Sequence, residues 1–333
     1  MQPCFSIIIP VYNVAAYLEQ CVHTISAAVT SKDEIILVCG NSSDNSNALS
    51  LILEEKYENV HVIMQTGRGP SNARNCGLKQ AKGQFVLFSD GDDYIDSSVL
   101  QELLQDIRSG RYNFDILITD FYRCNQSTGK NVLVQQIGKQ NLSGLNQIVN
   151  ALHDRDCFWN IWRYIYRRDF LLQNNIWFWE NAYAEDLDFT IKVFMKNPMA
   201  CYVPIAYYYY RLGREGSLMN RTPVKRVTST LTVIEKDIRL LKELDASWGK
   251  KVIEQLQFEY ILNLALICEL PKEWRERVTG LIRVDILSPT SDPAIKVIKF
   301  MLRIIGIRMT ASLLSTIKRL KRKREGRILQ QGE

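Results

Sequence analysis

Three carboxylates crowd into four residues at Asp90-Gly91-Asp92-Asp93, directly after the apolar run Phe85-Val86-Leu87-Phe88. Acids this close repel one another unless a cation sits between them. Carboxylate oxygens are hard ligands, so the ions that suit them are Mg²⁺ and Mn²⁺, with phosphate oxygens completing the shell. The plainer reading is a solvated acidic turn with Gly91 as its turn residue. A second acidic group, Glu185-Asp186-Leu187-Asp188, opens a helical stretch. The helix dipole alone favours acids there, but Leu187 and Phe189, drawn inward, would hold Asp186 near a crevice. Arg211 closes an aromatic run containing Tyr207 to Tyr210, a position from which it can meet phosphates.

These groups need elements to position them. Residues 85–88 read as a buried parallel strand, and open α/β sheets place their ligand crevice at the carboxyl ends of such strands. Upstream, residues 5–9, 34–38 and 60–64 read as strands. Helical spacing separates them over 14–28, from about 44 to 57, and over 71–81. The β-α-β-α-β-α-β pattern predicts a mainly parallel, Rossmann-like sheet covered on both faces. Gly67-Arg68-Gly69 lacks the third glycine of a dinucleotide fingerprint and does not follow the first strand. With no Gly-Lys-Ser/Thr loop either, bound nucleotide phosphates fall to a metal. Residues 97–108 predict a helix, 114–119 a strand, 120–142 an irregular polar stretch with a hairpin, and 200–211 an aromatic strand. The stretch 157–169, dense in Trp, Tyr and Arg, reads as a helix with an aromatic core face; a stacking platform for a sugar or base is the functional alternative.

The chain has 333 residues, 46% hydrophobic, with a net charge of +6, enough for one large domain or two smaller ones. Its eight cysteines are far apart and form no Cys-x-x-Cys pair, which speaks against structural zinc and for a reducing compartment. No signal peptide is expected at the N-terminus, and no run of apolar residues is long enough to span a membrane. Composition changes near residue 222. The expected division is a catalytic domain over 1–221, a helical region over 222–293 with helices at 225–244, 247–270 and 271–287, and a basic amphipathic tail over 294–333. In that tail Ile295, Ile298, Met301, Leu302 and Ile305 recur at helical spacing, Lys296, Lys299 and Arg303 share the opposite side, and Lys318 to Arg324 form a basic run. An anionic membrane surface is the expected partner. Nucleic acid is the runner-up and is not expected; a solvated tail is the plain alternative.

Ser6-Ile7-Ile8-Ile9-Pro10-Val11-Tyr12-Asn13, Ser71-Asn72-Ala73-Arg74-Asn75-Cys76-Gly77-Leu78, Ala81-Lys82-Gly83 and Phe88-Ser89-Asp90-Gly91-Asp92-Asp93-Tyr94-Ile95-Asp96 resemble, in order and spacing, the family 2 glycosyltransferases of the GT-A fold. The resemblance covers residues 4–215, with Glu185-Asp186 where that family carries its Glu-Asp motif and residues 162–171 similar to its Trp-x-x-(x)-Tyr-Arg segment. It implies that Asp90 and Asp92 match the Asp-x-Asp motif, with Asp92 the direct metal ligand. Pro10 and Tyr12 would flank the nucleotide base, Arg74 and Arg211 would stand near the donor, and Asp186 would be the catalytic base. The chain departs from the family where two aspartates usually follow the second strand, one of them reading uracil. Cys39 and Gly40 stand there, followed by Asn41 and Ser42. Neither replaces a carboxylate as acceptor, which leaves three readings: base recognition passes to Asn41 or to backbone groups, affinity for a uridine donor is weak, or the donor nucleotide differs.

The implied activity is inverting, metal-dependent transfer of a sugar from a nucleotide-diphosphate sugar, a UDP-sugar by family habit, to a hydroxyl of a glycan or lipid-linked glycan. A cytoplasmic enzyme, peripheral on the inner face of the membrane in cell-surface polysaccharide assembly, fits that reading. Two rivals are a metal-independent glycoside hydrolase and a degenerate, non-catalytic binding protein of the same fold.

Overall fold

The computed structural model of the protein describes residues 4–126, 128–135, 137–152, 158–213, 224–244 and 246–330, without the side chains of 319 and 321–330. Two compact units are present: residues 1–181 with 185–216, and residues 182–184 with 217–333. Cys157, the expected boundary at 221/222 and the side chains of most of the basic run lie outside the described residues.

In the first unit, β1 (Phe5–Val11), β2 (Glu34–Cys39), β3 (Val60–Met64) and β4 (Phe85–Phe88) alternate with α1 (Ala15–Ala28), α2 (Ser46–Lys56) and α3 (Gly69–Gln80). There follow β5 (Tyr94–Ile95), α4 (Ser97–Arg108), β6 (Ile116–Asn125), β7 (Asn131–Val134), β8 (Leu142–Ser143), α5 (Leu145–Ala151), β9 (Tyr164–Arg167), α6 (Arg168–Gln173), α7 (Glu185–Met195) and β10 (Ala200–Leu212). One sheet runs β3-β2-β1-β4-β9-β6-β10-β5, with β7 added on β6 and β8 on β10. The first four strands are parallel to one another. Every residue of β2 is buried, as a strand covered on both faces requires. The order turns back between β1 and β4, so the carboxyl ends of these strands bound the crevice expected at such a reversal. Tyr12, Gly40, Gln65 and Asp90 all lie just past those ends.

Two expectations change. Where a helix was expected over 157–169, residues 158–167 do not form one: a short 3-10 turn at Ile161–Arg163 leads into β9, antiparallel between β4 and β6, and α6 begins only at Arg168. Tyr164, Ile165 and Tyr166 are all buried, and aromatic and β-branched residues with both faces covered are favoured in a strand. Trp162 is buried flat against Tyr208, with ring centroids 4.4 Å apart. It is core packing and not an open platform. The 120–142 stretch does hold a hairpin, because β7 pairs antiparallel with β6.

The second unit is helical: α8 (Val224–Glu243), α9 (Gly249–Leu266), α10 (Lys272–Thr279), α11 (Pro293–Ile304) and α12 (Gly306–Gln330). Where one helix was expected over 271–287, α10 ends at Gly280 and a separate 3-10 turn covers Val284–Leu287. Both α11 and α12 pack on α9. No helix among the described residues is long and apolar enough to cross a membrane.

Candidate active site

The site begins with how closely α3 approaches the sheet. Gly77 sits so tightly on Ile8 and Val38 that a β-carbon there would collide with Ile8, which explains the need for glycine. One turn earlier on the same helix, Arg74 is only 4% exposed. Its Nη2 donates to Asp90 Oδ1 at 2.9 Å, and its Nη1 donates to Asp186 Oδ1 at 2.9 Å and to Glu185 Oε1 at 3.1 Å. One guanidinium thus joins the acidic turn after β4 to the start of α7, and the planar fork of arginine suits such multiple contacts.

Neighbouring residues fix both carboxylate groups. Asn75 Nδ2 donates to the Phe178 carbonyl at 3.0 Å, and Phe178 N donates back to Asn75 Oδ1 at 2.9 Å. Asn72 and Asn75 each donate to Glu180 at 3.1 Å. Phe178 stacks on Phe189 of α7 with centroids 4.0 Å apart, and Phe88 of β4 meets both rings edge-on. Leu187 and Phe189 are buried, as expected. The residue before Glu185 is Ala184, with φ 64°. A left-handed non-glycine residue there is local strain beside a functional group.

The three carboxylates around Arg74 exceed its single charge. Burial opposes the Arg74 charge, but Asp186, Asp90 and Glu185 outweigh it and raise its pKa. Burial pushes the Asp186 carboxyl up to about 8; Arg74 pulls it down, while Glu185 and Asp90 add to the rise. Its side chain is still 26% exposed, and Oδ2 takes no hydrogen bond among the described residues. That oxygen can therefore accept a proton from a ligand.

In the acidic turn, oxygens of Asp90, Asp92 and Asp93 lie within 4.8 Å of one another. Asp93 is 1% exposed. Its Oδ2 accepts from Tyr208 Oη at 2.8 Å and its Oδ1 from Arg211 N at 2.8 Å. Burial, then Asp92 and Asp90, push its carboxyl well above the usual range. Asp93 is thus tied into the fold, whereas Asp90 and Asp92 are partly exposed. The donor set is all oxygen, and its crowded negative charge fits a hard divalent cation such as Mg²⁺ or Mn²⁺ held by Asp90 and Asp92.

Pro10 and Tyr12 lie at the exit of β1, with Tyr12 57% exposed. Asn41 is exposed beyond β2. The Arg211 backbone touches the acidic turn through Asp93, but its guanidinium packs over Tyr94 at 4.6 Å and Tyr17 at 5.2 Å and donates to Gln20 at 2.5 Å. It makes no ion pair among the described residues. Asn72, Asn75, Glu180 and Tyr208 were missed in the sequence. Tyr208 alone left a signal, because strand alternation separates it from Tyr207 and Tyr209.

The sequence profile of the family described as Glycosyl transferase family 2 matches residues 6–179. The chain belongs to glycosyl transferase family 2. Among its relatives, "Uncharacterized glycosyltransferase EpsJ" of Bacillus subtilis is 31% identical over 214 residues, covering 63% of this chain and 62% of that one. "Uncharacterized glycosyltransferase YibD" of Escherichia coli is 26% identical over 260 residues, covering 76% and 74%. The chain thus spans less than two thirds of EpsJ. The crystal structure of residues 1–349 of Staphylococcus aureus TarS, in complex with UDP-GlcNAc, superposes with a TM-score of 0.71 at 23% identity, covering 96% of this chain and 92% of that one. That likeness shows the fold: a central α/β sheet with flanking helices, as in the GT-A family, followed by a helical C-terminal region.

Proposed function

We propose that this family 2 glycosyltransferase moves a hexosyl or N-acetylhexosaminyl group, with inversion, from a nucleotide-diphosphate sugar to a hydroxyl of a glycan or lipid-linked glycan. The observation that carries the reading is Arg74, which ties the acidic turn to Asp186. Asp90 and Asp92 would hold a divalent cation, which when bound acts as a Lewis acid toward a diphosphate. Asp186 Oδ2 would accept the proton of the acceptor hydroxyl. The hydroxyl oxygen then bonds to the anomeric carbon as the bond from that carbon to the diphosphate breaks, and a nucleoside diphosphate leaves. Arg74 would hold Asp186 in orientation and offset part of the negative charge of the three carboxylates around it. Pro10, Tyr12 and Asn41 would line the base end, and Arg211 would stand beside the phosphates after releasing Gln20. A UDP-sugar is the proposed donor.

The proposed division keeps the catalytic domain at 1–221, the helical region at 222–293 and a membrane-associating tail at 294–333, with the enzyme peripheral on the inner face of the cell membrane. Contrary to the face expected for that tail, Ile295 and Leu302 are buried within their own unit. The exposed apolar residues are Val297, Phe300 and Ile304 on α11, and Met309, Leu313, Ile317 and Leu320 on α12. Each set recurs at intervals of three and four, so it lines one side of its helix. Lys296 and Arg303 are exposed on the same helix as Phe300. This combination suits an anionic lipid surface.

Titration of UDP in the presence and absence of Mn²⁺, on the wild type and Asp92→Ala, tests the donor and metal assignments together. The wild type should bind UDP at least tenfold more tightly with Mn²⁺, and the variant should lose that gain. Equal binding under all four conditions removes the metal from the reading.

A further inference from the structure

At the base end of the crevice Cys39 and Gly40 stand where the family usually carries carboxylates, and their backbone groups are already hydrogen-bonded. Gly40 N donates to the Val11 carbonyl at 2.8 Å, the Gly40 carbonyl accepts from Asn47 Nδ2 at 2.9 Å, and the Cys39 carbonyl accepts from Gln65 N at 3.0 Å. Cys39 itself is fully buried, and burial raises its thiol pKa. A buried neutral thiol is a poor reader of a polar edge.

Besides Asn41, one more side chain stands at this point, one that the sequence did not single out. A β-carbon built on Gly40 would lie 3.3 Å from Gln65 Nε2, 3.3 Å from Tyr12 Cδ2 and 3.4 Å from the Val11 carbonyl oxygen. The ends of β1, β2 and β3 therefore converge on a bare glycine, flanked by an aromatic ring and a carboxamide. The Tyr12 ring is mostly exposed. The turn behind it is fixed: Asn13 takes φ 52°, and its Oδ1 accepts from Ser43 N at 2.8 Å. Asparagine tolerates that left-handed conformation. Gln65 is partly exposed, and its side-chain amide has no hydrogen-bond partner among the described residues. An exposed aromatic face is a stacking surface for a base. An amide offers one acceptor and two donors.

We infer that Gln65 reads the base of the donor nucleotide, its amide meeting the N3–H and O4 of a uracil that lies on Tyr12 over Gly40. This rests on the nucleotide-sugar reading above. A carboxylate at this end can only accept, from N3–H. The Gln65 amide accepts from N3–H and donates to O4, so two bonds replace one.

The test is calorimetric titration, with Mn²⁺ present, of UDP and of inorganic pyrophosphate into the wild type, Gln65→Ala and Gln65→Glu. A two-bond base contact is worth about 10- to 100-fold in affinity. UDP should weaken by that factor in Gln65→Ala. It should weaken less in Gln65→Glu, which keeps an acceptor. Pyrophosphate should bind all three proteins equally. Unchanged UDP affinity in Gln65→Ala overturns the inference, as does wild-type protein that binds UDP no better than pyrophosphate; both leave the metal and diphosphate assignment standing. Failure of the wild type to bind either ligand overturns that assignment as well, so the two failures are distinguishable. Melting curves confirm that the variants are folded, as substitution of a partly exposed side chain with no partner predicts.

Discussion

Removing one oxygen atom, in Tyr208→Phe, should unfasten the acidic turn while leaving the aromatic packing intact. The Tyr208 hydroxyl donates to Asp93 Oδ2 at 2.8 Å and accepts from Asp90 N at 3.0 Å. The ring itself stacks on Trp162, and phenylalanine keeps that contact. Two losses follow. A hydrogen bond contributes about 0.5–1.5 kcal/mol, and a part-buried N–H left without its partner costs up to about 1–3 kcal/mol. The two share one hydroxyl and do not add fully, so about 2 kcal/mol is the expected destabilisation. For a unit of this size each kcal/mol moves the melting midpoint by about 2–4 °C, giving a fall of roughly 4–8 °C. The control is Tyr209→Phe on the same strand. Its ring stacks on Tyr94 and Tyr122, and its hydroxyl makes no hydrogen bond among the described residues. That variant should melt within about 1 °C of the wild type. Scanning calorimetry reads both. Equal midpoints for the two variants would refute the claim that Tyr208 fastens Asp93 and the Asp90 backbone. Mn²⁺ affinity should fall in Tyr208→Phe alone, because Asp90 and Asp92 lie on the loosened turn.

Asp186→Asn should lower transfer by about 10²- to 10⁴-fold with donor binding nearly intact, and full turnover would remove Asp186 from the role of base. Because a general base must be ionised and this carboxyl is pushed up to about 8, kcat/KM of the wild type should fall as pH drops below that value. By the same sign, the stability that Asp186 contributes is present at low pH and lost as pH rises through about 8, a loss that Asp186→Asn should abolish. At the other end of the chain, Phe300→Asp with Ile304→Asp should abolish cosedimentation with phosphatidylglycerol vesicles and leave the melting point unchanged, since Phe300 is 64% exposed. Undiminished vesicle binding would reject that face. Deletion of residues 294–333 is the poorer test, because it also removes Ile295, Leu302 and Ala311 from the core of their unit.

What could be read from the sequence followed from how local each signal is. The first four strands and the helices between them announced themselves by β-branched runs and helical spacing, and β2 is buried along its whole length as its composition required. The 157–169 stretch was misread because aromatic density says that a segment is buried without saying how. Its strand geometry is imposed by β4 and β6 on either side, partners far away in sequence. The acidic turn and Glu185-Asp186 were visible as residue types. What joins them was not, because Arg74 lies 16 residues from Asp90 and 112 from Asp186, and no spacing rule covers such separations. Nor could composition say which acids stay open to a ligand. Asp92 and Asp93 are adjacent and chemically identical, yet Asp92 is partly exposed while Asp93 is buried against a tyrosine hydroxyl and a backbone amide brought in on β10. The same holds at the base end. Cys39 and Gly40 read as a loss so long as only their own positions were considered. Once β3 is laid beside β2, the register Cys39↔Met64 delivers Gln65 to the vacant place. A function that looks deleted in one strand can thus be supplied by its neighbour, and only the pairing of the strands makes that substitution visible.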